Sequence, residues 1–318
     1  MKNRTLSWFT SSLFFFSLLV VTSISCSKEK SGAGSDAEQE AVSVATGESD
    51  AEAETIFNGI FDDIMGTSDD VGMAGTGWYG RSSGTTRTGD LDALGRVTAC
   101  YTVTVTHLTS ASLFPVRIVI DFGTQGCLGP DGHLRRGKII AEYTNRLIVP
   151  GAVASTTFEN FYFDSIKVQG THKITNTSSP TNTQPLSRSF KVEVINAKLT
   201  RPNGNYIEWN STKTVTQIEG LITPDRPIDD IFRIEGTSRG RALRGNLLVA
   251  WESSTIEPLI KRFLCRWIVK GKIRTVRVNS AANSPWIAVL DFGNGTPPPC
   301  DNQATLTVNG RTHQITLP

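Results

Sequence analysis

VTACYTVTVTHL, residues 97–108, decides the fold class. Val97, Ala99, Tyr101, Val103 and Val105 fall on one side of an extended chain, and Thr98, Cys100, Thr102, Thr104 and Thr106 on the other. Side chains alternate across a strand with a period of two, so this pattern predicts a strand with one buried and one solvated face. Similar runs continue to the C-terminus: VRIVIDF at 116–122, KIIAEY at 138–143, TTFENFYFDSIKV at 156–168, SFKVEVINAKLT at 189–200, YIEW at 206–209 and TKTVTQI at 212–218. DIFRIEG at 230–236, ALRGNLLVAWES at 242–253, FLCRWIVKG at 263–271, IRTVRV at 273–278, WIAVLDF at 286–292 and ATLTVNG at 304–310 complete the set. Turn residues separate the runs, among them Pro130-Asp131-Gly132, Pro202-Asn203-Gly204 and Asn309-Gly310, the last as a two-residue hairpin turn. No helix of ordinary length is readable after residue 95, which argues against the alternating β-α pattern of most α/β enzymes. The expectation is an all-β domain of predominantly antiparallel sheet over residues 95–318.

Upstream, the chain reads as an address followed by a spacer. MKNRTLSWFTSSLFFFSLLVVTSISC, residues 1–26, has a positive start at Lys2 and Arg4, an apolar stretch from Leu13 to Val21, and small Ser23 and Ser25 before Cys26. That order is a processing segment, too short for a confident membrane span. Residues 1–25 are expected to be a lipoprotein signal peptide, with Cys26 acylated and the protein held to membrane lipid through it. Cys26 stands where a lipobox places its cysteine, and Ser27-Lys28-Glu29-Lys30 resembles a lipoprotein surface-export signal. The expected location is the cell envelope, as an outer-membrane lipoprotein facing the periplasm or the surface. Residues 26–53 hold two Lys and seven acids, for a net charge of −5, with almost no large apolar side chain. Such a composition predicts a flexible acidic tether. Ile56, Phe57, Ile60, Phe61, Ile64 and Met65 then recur at helical spacing, so residues 54–94 are expected to hold one short amphipathic helix and a loop.

Five cysteines become four once Cys26 is lipidated. An even count in an exported chain implies two disulfides, with three possible connectivities. An internal echo favours one of them. Cys100 precedes a strand, then IVIDFGTQGC ends at Cys127; Cys265 precedes a strand pair, then AVLDFGNGTPPPC ends at Cys300. The echo favours Cys100–Cys127 and Cys265–Cys300, and suggests a duplicated β module with halves at 95–200 and 201–318. Asp121-Phe122-Gly123 and Asp291-Phe292-Gly293 are turn residues at strand ends; the glycine-rich loop and His-Arg-Asp motif of a kinase are absent.

No stretch carries a signature of catalysis. His107, His133, His172 and His313 lie apart, with no HExxH and no CxxC, so no metal or cofactor is expected. GxSxG is absent. Carboxylates such as Asp164 with Glu193, or Glu142 with Glu159, keep open a hydrolase reading, above all toward carbohydrate. Asp62-Asp63 and Asp229-Asp230 read as solvated acidic pairs ahead of calcium ligands. Arg239, Arg241 and Arg244 read as a solvated turn, and residues 54–318 carry a net charge of only +5, so no nucleic-acid partner is expected. A binding function needs exposed aromatics beside polar turns; the candidates are Trp78, Tyr79, Tyr206, Trp209, Trp251 and Trp286. Asp164-Ser165-Ile166 resembles an Asp-Ser-aliphatic O-glycosylation site of exported proteins, which makes Ser165 a modification candidate.

DFGTQGCLGPDGHLRRGKI at 121–139, GTHKITNT at 170–177, and CRWIVKGKIRTV with the later DFGNG and CDNQATLTVNG carry a wider likeness. On these segments, residues 95–318 resemble a group of secreted and surface lipoproteins of the Bacteroidota with no assigned activity. The resemblance implies an exported β-rich architecture and transfers no catalytic residue. The functional expectation is therefore a non-catalytic structural or binding module of the envelope, with a glycan or an envelope protein as partner.

Overall fold

The computed structural model describes residues 35–67, 71, 100–129, 132–179, 188–223, 229–263, 265–278, 280, 284–293 and 298–318. Residues 1–26, expected to be the signal segment and its cysteine, and Trp78 and Tyr79 lie outside the described residues. Residues 35–318 form one unit.

Among the described residues, one helix, α1 (Asp36–Met65), precedes fourteen strands. These are β1 (Thr102–His107), β2 (Val116–Asp121), β3 (Cys127–Leu128), β4 (Leu134–Tyr143), β5 (Val153–Phe163), β6 (Ile166–Asn176), β7 (Arg188–Thr200), β8 (Tyr206–Glu219), β9 (Ile231–Arg244), β10 (Leu247–Arg262), β11 (Lys270–Arg277), β12 (Ala288–Asp291), β13 (Gln303–Val308) and β14 (Arg311–Thr316). They make a single antiparallel sheet in chain order, with β3 attached to the side of β4. The all-β, antiparallel expectation holds, and so do both disulfides, Cys100–Cys127 and Cys265–Cys300.

The strand boundaries show where local pattern misleads. TTFENFYFDSIKV is two strands, because Asp164 takes a left-handed backbone (φ +53°) and turns the chain between Phe163 and Ile166. ALRGNLLVAWES likewise breaks after Arg244. YIEW and TKTVTQI, by contrast, are one strand, β8.

The larger correction concerns residues 36–53. They are not a tether; they are the first 18 residues of α1. Ser35 caps the helix, accepting from the Glu38 amide while the Glu38 carboxylate accepts from the Ser35 amide. From Ser49 to Met65 every helical residue except Asn58 and Asp62 is buried, so the sheet encloses the helix around its circumference. Small residues permit this. A Cβ at Gly47 would sit 2.6 Å from Leu306 Cδ1. Across the sheet, Ser211, Ser238, Ser253 and Thr275 are paired neighbours on successive strands β8 to β11, a low buried row under the middle of the helix.

Polar partners replace the apolar contacts that residues 36–53 lack. Glu40 meets Arg311 at 2.6 Å, Glu48 meets Arg244 at 2.8 Å, and Glu52 meets Arg201 at 2.5 Å. Asp50 Oδ1 accepts from Trp209 Nε1 (2.8 Å), Trp251 Nε1 (3.0 Å) and Ser238 Oγ (3.0 Å). Further along, Phe57 stacks on Trp209, Phe61 meets Phe232 edge-on, Asp62 pairs with Lys261 at 2.7 Å, and Tyr143 donates to the Ile64 carbonyl. Burial of Asp62, opposed by the Lys261 ammonium, pushes its carboxyl up to about 7.

The internal echo is real at the level of the turn and fails as a duplication. Asp121 Oδ1 accepts from the Gly123 amide at 2.8 Å, and Asp291 Oδ1 from the Gly293 amide at 2.9 Å. Asp121 faces Lys138, which also faces Glu159; Asp291 faces Lys272, which also faces Glu257. Each lysine follows a glycine with positive φ, Gly137 or Gly271, at a site where a Cβ would strike backbone at 2.0 and 2.4 Å respectively. However, the Gly-Lys strand follows the Asp-Phe-Gly strand in the first copy (β4 after β2) and precedes it in the second (β11 before β12). A tandem repeat keeps one order. The sheet also runs unbroken through residue 200, where β7 pairs with β8, so 95–200 and 201–318 are not separate halves.

Candidate functional site

The outward face of β7 to β11 carries a concave region of about 740 Å³. Its curvature has identifiable causes. Register breaks fall on β7 between Val194 and Ala197 and on β10 between Ser254 and Leu259. A bulged strand bends and twists more strongly. Asn196 takes a positive φ in the first break, and its amide donates to Asn210 Oδ1 at 2.8 Å.

Two rows of side chains line the region. Glu193, Thr212, Thr237, Ser254 and Arg274 are successive cross-strand neighbours from β7 to β11. Asn210, Arg239, Glu252 and Val276 form the second row, two residues along each strand. Short hydroxyl side chains make the floor, and long charged ones stand around it.

Several cross-strand neighbours of opposite charge on the outer face are ion-paired, among them Arg117 with Glu142, and Arg241 and Lys198 with Glu208. Arg241 holds the Glu208 carboxyl below the usual range. Arg239 and Glu252 are exposed register partners, yet neither makes an ion pair among the described residues. A guanidinium and a carboxylate therefore stand side by side over a floor of hydroxyls with their hydrogen-bonding capacity available.

The sequence candidates distribute differently. Trp209 and Trp251 are 2% and 0% exposed, and their indole N–H groups serve Asp50 inside the fold. Tyr206 is half-buried beneath Lys198, whose Nζ lies 4.6 Å from the ring centroid. Trp286 is half-buried, and its carbonyl accepts from Ser43 Oγ at 2.8 Å. None of these four lines the concave region, so no aromatic platform forms there. The basic triplet also divides: Arg239 faces the region, Arg241 pairs with Glu208, and Arg244 turns to Glu48 and Ser49 of the helix.

The carboxylates considered for hydrolysis are each engaged by a neighbouring side chain. Asp164 binds His133, Glu193 binds Lys191, Glu142 binds Arg117 and Glu159 binds Lys138. Asp229 accepts from Thr223, while Asp230 accepts from Gln217, and burial pushes the Asp230 carboxyl up to about 7. Among the described residues no group of three His, Cys, Asp or Glu side chains has the arrangement of a metal site. Ser165 is exposed at the β5–β6 hairpin tip, where the backbone is open to approach.

The hydroxyl-floored concavity was missed in the sequence because its members come from five strands. The available signal was the placement of Thr and Ser at outward positions of three consecutive strands, β8 to β10, flanked by long charged residues. No protein-family model, curated protein or solved structure matches this chain.

Proposed function

We propose that the protein is a cell-envelope lipoprotein, anchored through acylated Cys26, whose β domain is a non-catalytic binding module for a polyhydroxylated ligand such as an envelope oligosaccharide. The concavity on β7 to β11 is its contact surface. The observation that carries this reading is the unpaired Arg239 and Glu252 above Thr212, Thr237 and Ser254. A vicinal diol can accept from a guanidinium and donate to a carboxylate at once, and hydroxyls of the floor serve either role. An anion would meet Glu252 and a cation would meet Arg239, so a neutral polyol suits both. Two disulfides accord with an oxidising compartment. An acyl chain on Cys26 attaches the protein without a spanning segment, and among the described residues no helix is long and apolar enough to cross a membrane. Binding is favoured over hydrolysis because the candidate carboxylates are tied to Lys, Arg or His side chains at the surface.

Two experiments test this. On an oligosaccharide array, the intact chain is expected to bind one glycan class saturably, and the double variant Arg239→Ala/Glu252→Ala to lose affinity about tenfold or more, the equivalent of about 1.4 kcal/mol. Unchanged affinity in the variant, or no binding by a folded sample, overturns the assignment. For the anchor, metabolic labelling with an alkyne fatty acid is expected to mark the wild type and to vanish in Cys26→Ser; a label that persists excludes acylation at that residue.

A further inference from the structure

Beneath the sheet lies a second polar feature, which shares Val194 and Ser211 with the lining of the outer concavity. Glu54 of α1 approaches Lys213 of β8, Nζ to Oε2 3.2 Å, with 3% and 4% of their side chains exposed. Beside this pair β6 directs His172 inward, 0% exposed, its ring parallel to Phe57 at 6.3 Å between centroids. Glu54, Lys213 and His172, with Asn58 and Ser211, border an internal cavity of about 20 Å³.

Polar atoms with no hydrogen-bond partner converge here. They are both ring nitrogens of His172, Lys213 Nζ, Glu54 Oε2, and the hydroxyl of Thr156, the residue directly across the β5–β6 ladder from His172. A neutral imidazole carries one N–H and one lone pair, so it needs both an acceptor and a donor. Burial pushes the His172 ring down to about 3, which keeps it neutral at physiological pH. A buried polar group left unpaired costs on the order of 1–3 kcal/mol, and such groups in folded proteins are met by protein or by ordered water.

We propose that this cavity is a binding site for one water molecule that bridges His172 to the Glu54–Lys213 pair. Water both donates and accepts, which the mixture of ammonium, carboxylate and imidazole requires. The size agrees: about 10–15 Å³ of such volume accommodates one water, given two to four polar partners. An apolar occupant would leave both ring nitrogens of His172 unsatisfied. A larger polar ligand would not fit.

The protein is labelled with ¹⁵N-histidine and studied by long-range ¹H–¹⁵N correlation and water cross-relaxation. His172 identifies itself as the ring that stays neutral between about pH 8 and pH 5. The expected result is a hydrogen-bonded shift at one or both His172 nitrogens together with cross-relaxation from its ring protons to water. A ring with neither, or one whose nitrogens are bonded directly to Thr156 or Lys213 with no water signal, overturns the proposal. Both results are read on the unaltered chain, so the answer does not depend on whether a variant folds.

Discussion

Replacing Asp50 by Ala removes one acceptor and strands three buried donors. Trp209 Nε1, Trp251 Nε1 and Ser238 Oγ all converge on Asp50 Oδ1 within 2.8 to 3.0 Å. Asp50 is 1% exposed, and the two tryptophans 2% and 0%, so water cannot reach the donors without opening the sheet. Each of the three stranded donors costs about 1–3 kcal/mol, which puts Asp50→Ala on the order of 3–9 kcal/mol, a large part of a typical folding free energy. Asp50→Asn keeps a carbonyl oxygen facing the donors, loses the charge assistance and sets an amide NH2 where Asp50 Oδ2 has no partner, for about 1–3 kcal/mol. Urea unfolding followed by tryptophan fluorescence measures both, and two of the reporting indoles are the donors themselves. A double-mutant cycle with Trp209→Phe isolates the pair and is expected to show coupling of about 1 kcal/mol or more. An Asp50→Ala variant within about 1 kcal/mol of wild type, or zero coupling in the cycle, would refute the view that this carboxylate holds the helix in the sheet.

His172 makes stability depend on acid. Its ring titrates at 6.5 when unfolded and is pushed down to about 3 by burial, so the native state binds fewer protons between those values. Its contribution is complete above pH 6.5 and falls as pH drops toward 3, by about 3 kcal/mol between pH 7 and pH 4; His172→Phe should flatten the stability–pH curve by that amount, and an unaltered slope in chemical denaturation would refute it. Gly47→Ala places a methyl group against Leu306 and is expected to cost about 1–3 kcal/mol despite the better helix propensity of alanine, with partial recovery in the Leu306→Val background. Cys265→Ser with Cys300→Ser opens a loop of sequence separation 35 and is expected to lower the unfolding free energy by about 2–4 kcal/mol without changing the far-ultraviolet circular dichroism.

Much of the fold was legible because strands advertise a period of two, and the outward threonines of β1 and the echoed cysteines needed nothing beyond pattern. The helix was half legible. Ile56, Phe57, Ile60 and Ile64 bury as apolar residues do, and their spacing shows it. Residues 36–53 are held against the sheet by a different route, in which acids find Arg201, Arg244 and Arg311 from strands far along the chain. A composition rule that counts apolar side chains is blind to that, although Ser35 and Glu38 already spelled a capping box. The tryptophans misled for a related reason. An indole beside polar residues looks like a binding surface, and here the polar partner of Trp209 and Trp251 was Asp50, a hundred and fifty or more positions away. The concavity of β7 to β11 needed strand register, which no local pattern supplies.

The enclosed helix also sets the order in which the chain can fold. Ser43 bonds to Trp286 across 243 residues of sequence, and Glu40 to Arg311 across 271. Residues 36–53 emerge early, rich in acids and small side chains, and a helix of that composition is marginal by itself. Several of their partners, Trp286 and Arg311 among them, are synthesised more than 240 residues later. Contacts this far apart in sequence slow folding, because the loop must close before any of them contributes. A nascent chain therefore has a sheet to build before α1 has a place to rest, and loss of the β13–β14 hairpin would be felt at Glu40, 271 residues upstream of Arg311.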